Sequence, residues 1–214
     1  MSKQPLRLGI AGLGTVGSGV IKMLLNNASL LSLRASRQIT ISAVSAKSRT
    51  KKRSIDLSGI AWENNPVELA KRDDVDVFVE LMGGSEGSAK EATLAAISSG
   101  KDVVTANKAM LAIHGQSLAL AAEKAGLIIR FEAAVAGGIP VVKALTEGLA
   151  GNKIDRILGV MNGSCNYILT RMETSGLSYA DIFAEADGLG YLEADPNLDV
   201  GGIDAAHKLA LLAS

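Results

Sequence analysis

The sequence is short of several things that whole classes of protein require. Its 214 residues include one cysteine, Cys165, which rules out an intramolecular disulfide framework and fits a reducing compartment. Aromatic residues make up 3% of the chain, too few for the stacking platforms that grip single-stranded nucleic acid. Neither sign of charge prevails, because 22 basic residues meet 22 acidic ones, so nothing points to a nucleic-acid surface or an anionic membrane. The apolar run Leu8–Ala11 is short and interrupted by glycine, unlike a signal-peptide core or a membrane span. A cytoplasmic, soluble protein with no nucleic-acid or membrane partner is the expectation.

What is present is 48% hydrophobic sequence, enough for one good core or for a domain and much of a second. Apolar, strand-like runs at Leu6–Ala11, Gln38–Ala46, Val75–Leu81, Asp102–Thr105 and Leu127–Glu132 alternate with helical stretches. The helices are predicted over Val16–Leu25, Trp62–Lys71, Ser88–Ser99 and His114–Ala125, with Asn65 and Pro66 marking the start within the second. Near-continuous apolar strands alternating with helices predict a doubly wound parallel sheet, an α/β architecture of the Rossmann type. Around Ala133–Pro140 the sequence turns to small residues and the alternation weakens. A boundary there divides the chain into residues 1–134 and 135–214. The second part is predicted to be α+β, with helices at Lys143–Leu149, Tyr167–Ser175 and Tyr179–Ala186 and a strand at Arg156–Met161. The last helix, Ile203–Ala213, meets the end of the chain with no Gly or Pro stop signal, so a truncated domain is expected.

Two stretches carry chemistry. Gly12-Leu13-Gly14-Thr15-Val16-Gly17 is Gly-x-Gly-x-x-Gly set between a strand and a helix. The first glycine makes a tight turn, the second admits a pyrophosphate, and the third lets helix and strand pack closely. A dinucleotide is the predicted ligand. Beyond the second strand, Ser45 to Arg53 holds five cations in nine residues, Lys47 and Arg49 among them, and no acid precedes Asp56. An acid there would hold a ribose 2′-hydroxyl, whereas cations welcome a 2′-phosphate, so NADP is favoured with NAD still possible. Gly83, after the third strand, and Thr105 and Lys108, after the fourth, should face the same ligand, with Lys108 serving cofactor or substrate. The second stretch gathers Glu193, Asp195, Asp199 and Asp204 within 12 residues, and Lys208 lies one helical turn beyond Asp204. Such a pair is commonly a surface salt bridge. Beside a cofactor and an ammonium-bearing substrate, it also offers carboxylates to the ammonium and a general acid to a carbonyl oxygen.

Together with Thr105-Ala-Asn-Lys108, Phe131 to Pro140, Gly159-Val-Met-Asn-Gly-Ser-Cys-Asn-Tyr-Ile168 and Gly190-Tyr-Leu-Glu-Ala-Asp-Pro196, these motifs closely resemble the homoserine dehydrogenases over essentially the whole chain. The resemblance implies an NAD(P)-linked interconversion of L-homoserine and L-aspartate 4-semialdehyde, on the route to threonine, isoleucine and methionine. It makes Lys208 the proton donor supported by Asp204, gives the substrate to Glu193 and Asp199, and places Lys108 between cofactor and substrate. It also implies a structural sodium ion on the backbone carbonyls of Glu132, Val135, Gly137 and Ile139, a reasonable oxygen set for a hard cation. The second part becomes the beginning of a catalytic, substrate-binding and dimerisation domain, and the full-length protein a homodimer. The sequence departs from the family pattern at Ser85-Glu86, where a Glu-Pro pair is common, and at Cys165, where Thr or Ser is usual. Family members also run well past residue 214, completing the second domain and often adding a regulatory domain. Two other readings stand beside this one: a phosphorylating semialdehyde dehydrogenase with Cys165 as nucleophile, and an NADP-binding fragment or sensor without catalytic activity.

Overall fold

A computed structural model describes residues 4–192 and 196–214. The chain divides into two compact units, Met1–Lys143 and Ala144–Ser214. The first family of elements is β1 (Leu6–Ala11), α1 (Thr15–Asn26), α2 (Ala28–Ala35), β2 (Ile39–Ser45), β3 (Ala61–Glu63) and α3 (Pro66–Lys71). It continues with β4 (Val77–Glu80), α4 (Ser88–Ser98), β5 (Asp102–Thr105), α5 (Lys108–Ala125), β6 (Ile129–Arg130), α6 (Glu132–Val135) and α7 (Val141–Lys143). The six strands form one sheet in the order β3-β2-β1-β4-β5-β6, and every pairing is parallel. The chain winds outward from β1 to β3, then returns to β1's other side and winds outward again, so the expected doubly wound α/β fold is present.

Burial on both faces explains the apolar strands. Leu8 and Ile10 of β1 pack with Ile21 of α1, Val44 of β2 and Val79 of β4 on one side. Gly9 points the other way, where a methyl group would lie 3.0 Å from Val75 and 3.3 Å from Leu69 of α3. Successive side chains in a strand face opposite layers, so alternate residues of β1 meet helices on opposite faces.

Several predicted boundaries move for physical reasons. Trp62 lies in β3 rather than in a helix, because α3 starts only where Asn65 accepts a hydrogen bond from Val67 N–H, with Pro66 in the first turn. Helix α5 begins at Lys108, six residues before its predicted start, since the Asn107 side chain caps it by accepting from Met110 N–H. Helix α2 was not predicted at all; none of its residues is buried, so it lacks the apolar stripe that betrays a helix.

The second unit holds a short π-helical turn at Ala144–Gly148, then α8 (Gly163–Ser175), α9 (Tyr179–Gly188), α10 (Pro196–Val200) and α11 (Ile203–Ala213). Ile168, Ile182 and Ala186 form its small core, joined by Tyr167, Met172, Phe183 and Leu192. Arg171 donates to both oxygens of Glu185 (3.0 and 3.1 Å) and Tyr167 hydrogen-bonds the same carboxylate, clamping α8 to α9. The predicted strand at Arg156–Met161 does not form: no described residue pairs with it, and Leu158 and Val160 are 82% and 75% exposed. A β-rich segment without a ladder partner has no reason to become a strand.

Candidate functional site

The glycine-rich turn joins β1 to α1, at the point where the strand order reverses, which is where open α/β sheets bind ligands. Each glycine meets a different demand. Gly12 has φ +98, and a Cβ there would lie 2.3 Å from the Leu81 carbonyl oxygen; one at Gly17 would lie 1.9 Å from the Gly12 carbonyl oxygen. At Gly14 there is open space instead, with nothing within 4 Å. Gly14 also N-caps α1 without a side-chain hydrogen bond, so the N–H groups of the first turn, at the exposed Thr15 and Val16, face outward. Two glycines are therefore required by the fold, whereas Gly14 leaves the approach to the turn open. Outward N–H groups at a twelve-residue helix favour an anion.

The turn borders a cavity of about 590 Å³ whose wall includes Gly12, Leu13, Gly14, Lys47, Lys51 and Gly83. Lys47 is thus where the sequence placed it, at the end of β2, whereas the exposed Arg49 is not part of the wall. Arg53 also borders the cavity, but its guanidinium is occupied: it donates to the carbonyls of Leu13 (3.2 Å), Lys51 (2.9 Å) and Ser48 (2.8 Å). Its carbon centre sits 5.6 Å from the centroid of the Trp62 ring. Arg53 therefore ties the basic loop to the glycine turn, leaving Lys47 and Lys51 to meet charge. Sequence reasoning counted Arg53 among the cations and missed this structural part, which depends on contacts 40 residues apart. An open approach at Gly14, the first turn of α1 and the two lysines of the cavity wall fit the phosphates of a dinucleotide.

On the far side of the turn, Gly83 has φ +82 and Gly84 φ +86, conformations natural to glycine. Thr105 ends β5 with 1% exposure, its hydroxyl donating to Glu80 at 2.5 Å, so it braces the site from beneath. Lys108, the first residue of α5, is half-buried. The carbonyl of Glu132 accepts from Ala136 N–H at 3.2 Å and that of Ile139 from Val141 N–H at 2.8 Å, each retaining a second lone pair. Val135 is buried, whereas Gly137 and Ile139 are exposed. The Glu132 carboxylate accepts from Val142 and Lys143 N–H at 2.8 and 3.0 Å, closing the loop that these residues span.

In the second unit, Lys208 Nζ lies 2.8 Å from Asp204 Oδ2 and donates to the Met161 carbonyl at 2.8 Å. With Asp204 5% exposed and Lys208 22% at its side chain, this is no surface salt bridge. The residue that gathers the cluster is Asn162, whose amide donates to Asp199 (2.8 Å) and Asp204 (3.2 Å). Its carbonyl oxygen meanwhile caps α8 by accepting from Cys165 N–H at 2.8 Å. Asp199, Asn162 and Asp204 are all buried. Asn162 carried no expected role; a lone asparagine gives no sequence signal beyond that of a helix cap. Glu193, expected to bind substrate, and Asp195 lie outside the described residues.

Cys165 is not an activated nucleophile. Burial, then the charges of Asp199 and Asp204, push its thiol above the ordinary range, and its Sγ donates to the Asp199 carbonyl at 3.2 Å. A nucleophilic cysteine needs the reverse environment, a nearby cation or base that favours thiolate. Among the described residues no histidine is bonded to it. Among them, too, no helix is long and apolar enough to cross a membrane.

Comparison with known proteins agrees with this geometry. Residues 12–132 match the family model described as homoserine dehydrogenase, NAD binding domain, and residues 140–214 match that described as homoserine dehydrogenase. A homoserine dehydrogenase of Neisseria gonorrhoeae is 50% identical over 211 residues, covering 99% of this chain and 48% of the relative. The crystal structure of a homoserine dehydrogenase from Thiobacillus denitrificans superposes with a TM-score of 0.92 at 43% identity, covering 98% of this chain and 48% of that one. A hyperthermophilic archaeal homoserine dehydrogenase in complex with NADPH gives 0.83 at 29% identity, over 98% of this chain and 69% of that one. The chain spans about half the length of the curated relatives it matches. By these matches to both of its units, the chain belongs to the homoserine dehydrogenase family of oxidoreductases.

Proposed function

We propose that the chain carries the cofactor site and the proton-donating group of an NADP-linked homoserine dehydrogenase that interconverts L-homoserine and L-aspartate 4-semialdehyde. The observation that carries this reading is Lys208, a half-buried ammonium held between the Asp204 carboxylate and the Met161 carbonyl. Both acceptors fix its position and leave it a third N–H for a substrate oxygen. The bound dinucleotide supplies or accepts the hydride. Lys208 gives the proton to the oxygen of the reduced carbonyl and takes it back in the oxidative direction. Asp204 holds the ammonium, while Asp199 and Glu193 offer negative charge to the substrate's own ammonium. Lys108, at the ligand end of the sheet, offers a cation to cofactor or substrate.

NADP over NAD is supported by Lys47 and Lys51 at the cavity wall and by the lack of an acid at the end of β2. The NADPH carried by the archaeal relative supports the same choice. The reading extends to a structural sodium ion on the carbonyls of Glu132, Val135, Gly137 and Ile139, supported by the second lone pairs at Glu132 and Ile139. It includes a role in the biosynthesis of threonine, isoleucine and methionine, a cytoplasmic location, and a homodimer of the natural-length protein. The exposed Leu158 and Val160 are apolar surface that such an assembly covers. The domain division it adopts is 1–134 for cofactor and 135–214 for the start of the substrate domain.

The test is oxidation of L-homoserine by the natural-length protein at alkaline pH, with NADP or NAD, followed at the reduced-nicotinamide absorbance and by trapping the aldehyde. Homoserine-dependent reduction of NADP with equimolar aldehyde is expected. Binding of NADPH with no turnover of homoserine would replace this reading with a non-catalytic binding module.

A further inference from the structure

We propose that Glu80 is a positioning residue for the nicotinamide half of the dinucleotide site, an inference that rests on the cofactor reading above. Glu80 ends β4 and is completely buried, 0% exposed. Among the described residues no salt bridge reaches it; neutral donors surround it instead. Oε1 accepts from the N–H groups of Met82 (2.7 Å) and Gly83 (3.3 Å), and Oε2 accepts the Thr105 hydroxyl at 2.5 Å. The Thr105 oxygen in turn accepts from Asn107 N–H at 3.0 Å, and the Asn107 amide donates to the Gly84 carbonyl at 2.7 Å. A closed circuit of hydrogen bonds thus joins the loop after β4 to the loop after β5.

Its location makes the circuit more than a fold element. A buried carboxylate is costly, and an apolar residue would serve the strand equally well. Every donor to the Glu80 side chain comes from the carboxyl ends of the strands, where the ligand lies. With the glycine turn receiving the pyrophosphate and the end of β2 the adenosine ribose, the other nucleoside falls to the ends of β4 and β5. Met82 and Gly83 border the same cavity as Gly12 and Gly14. Glu80 and Thr105 themselves lie beneath that surface, so they act by holding Met82–Gly84 and Asn107 in place before the ligand arrives. Asn107 carries the effect further, since its side-chain oxygen caps α5 and thereby sets Lys108. Preorganised backbone of this kind loses little freedom on binding.

The circuit predicts a split between the two halves of the ligand. The experiment measures binding of NADPH, by its fluorescence, and of adenosine 2′,5′-bisphosphate, by calorimetry, to the 214-residue chain and its Glu80→Gln and Thr105→Val variants. Glutamine keeps the shape but places an amide nitrogen where an acceptor is needed; valine removes the hydroxyl and leaves Glu80 its two backbone donors. The proposal expects NADPH affinity to fall about tenfold or more in both variants while the fragment, which has no nicotinamide, binds as to the parent. Unchanged NADPH affinity overturns it, as does a parallel loss of both ligands or a failure of both variants to fold, since each shows a merely structural part. A parent chain that binds neither ligand overturns the cofactor reading itself, and this inference with it.

Discussion

The two chemically distinctive regions are built by opposite means. The glycine turn of the first unit works by leaving side chains out: Gly12 and Gly17 where a Cβ would strike backbone, Gly14 where nothing stands in the way. The acid–lysine cluster of the second unit works by packing side chains in, with Asn162, Asp199 and Asp204 buried and Lys208 tethered at both acceptors. The first is backbone geometry, in which Gly12 and Gly17 tolerate no Cβ while Gly14 has room for one. The second is a hydrogen-bonded network gathered from residues 37 and 42 positions apart, in which each partner's removal strands another.

Breaking that contrast begins with the largest effect. Gly17→Ala forces a Cβ to 1.9 Å from a carbonyl oxygen, so both melting temperature and NADPH binding should fall sharply. Gly14→Ala has room, and should cost stability no more than about 1 kcal/mol while weakening NADPH at least tenfold or so. Equal melting losses in the two variants would refute the division of labour among the glycines. In the second unit Asn162→Asp keeps the cap on α8 but replaces both donations by repulsion. Calorimetric unfolding should show about 1–3 kcal/mol lost, with NADPH binding to the first unit unchanged. Removing charge from Lys47 and Lys51 together should lower NADPH affinity about tenfold and leave NADH nearly untouched, measured by fluorescence titration.

The smallest effects are those of pH. The Cys165 thiol is held above its ordinary range, so it stays protonated at neutral pH and its alkylation should accelerate only at more alkaline pH than a free cysteine's. Rapid modification at pH 7 would contradict the environment described. Arg7, bonded through Nε and a terminal nitrogen, holds Asp76 below the usual carboxylate range, joining the start of β1 to that of β4. The sign follows from linkage: the contribution is complete above the unfolded carboxylate value near pH 4 and disappears as pH falls through the lower folded value. Both side chains are more than a third exposed, so the acid shift in melting should be slight.

The same contrast decides what could be read in advance. The doubly wound sheet and the glycine turn were legible because strands alternate with helices along the chain, and a strand, three glycines and a helix lie within one short stretch. The cluster at Asp199–Lys208 was legible chiefly through its resemblance to known dehydrogenases, because Asp204 and Lys208 alone look like any helical salt bridge. Asn162 escaped, since what makes it matter is two aspartates remote in sequence. Glu80 left a fainter trace as one of two charges in an apolar strand, where burial demands partners. Strand β3 is three residues long, too short for a period, and Trp62 was drawn into the following helix. At Arg156–Met161 the β-rich composition predicted a strand that does not form, because pairing depends on a partner that composition does not reveal.

The most direct test of the account replaces Lys208 with alanine in the natural-length protein and measures homoserine oxidation and NADPH affinity on the same sample. The account predicts kcat lowered by about 10²- to 10⁴-fold with NADPH affinity unchanged, since Lys208 and the glycine turn belong to different units. Turnover that survives the substitution would contradict it, and would move the proton to another group.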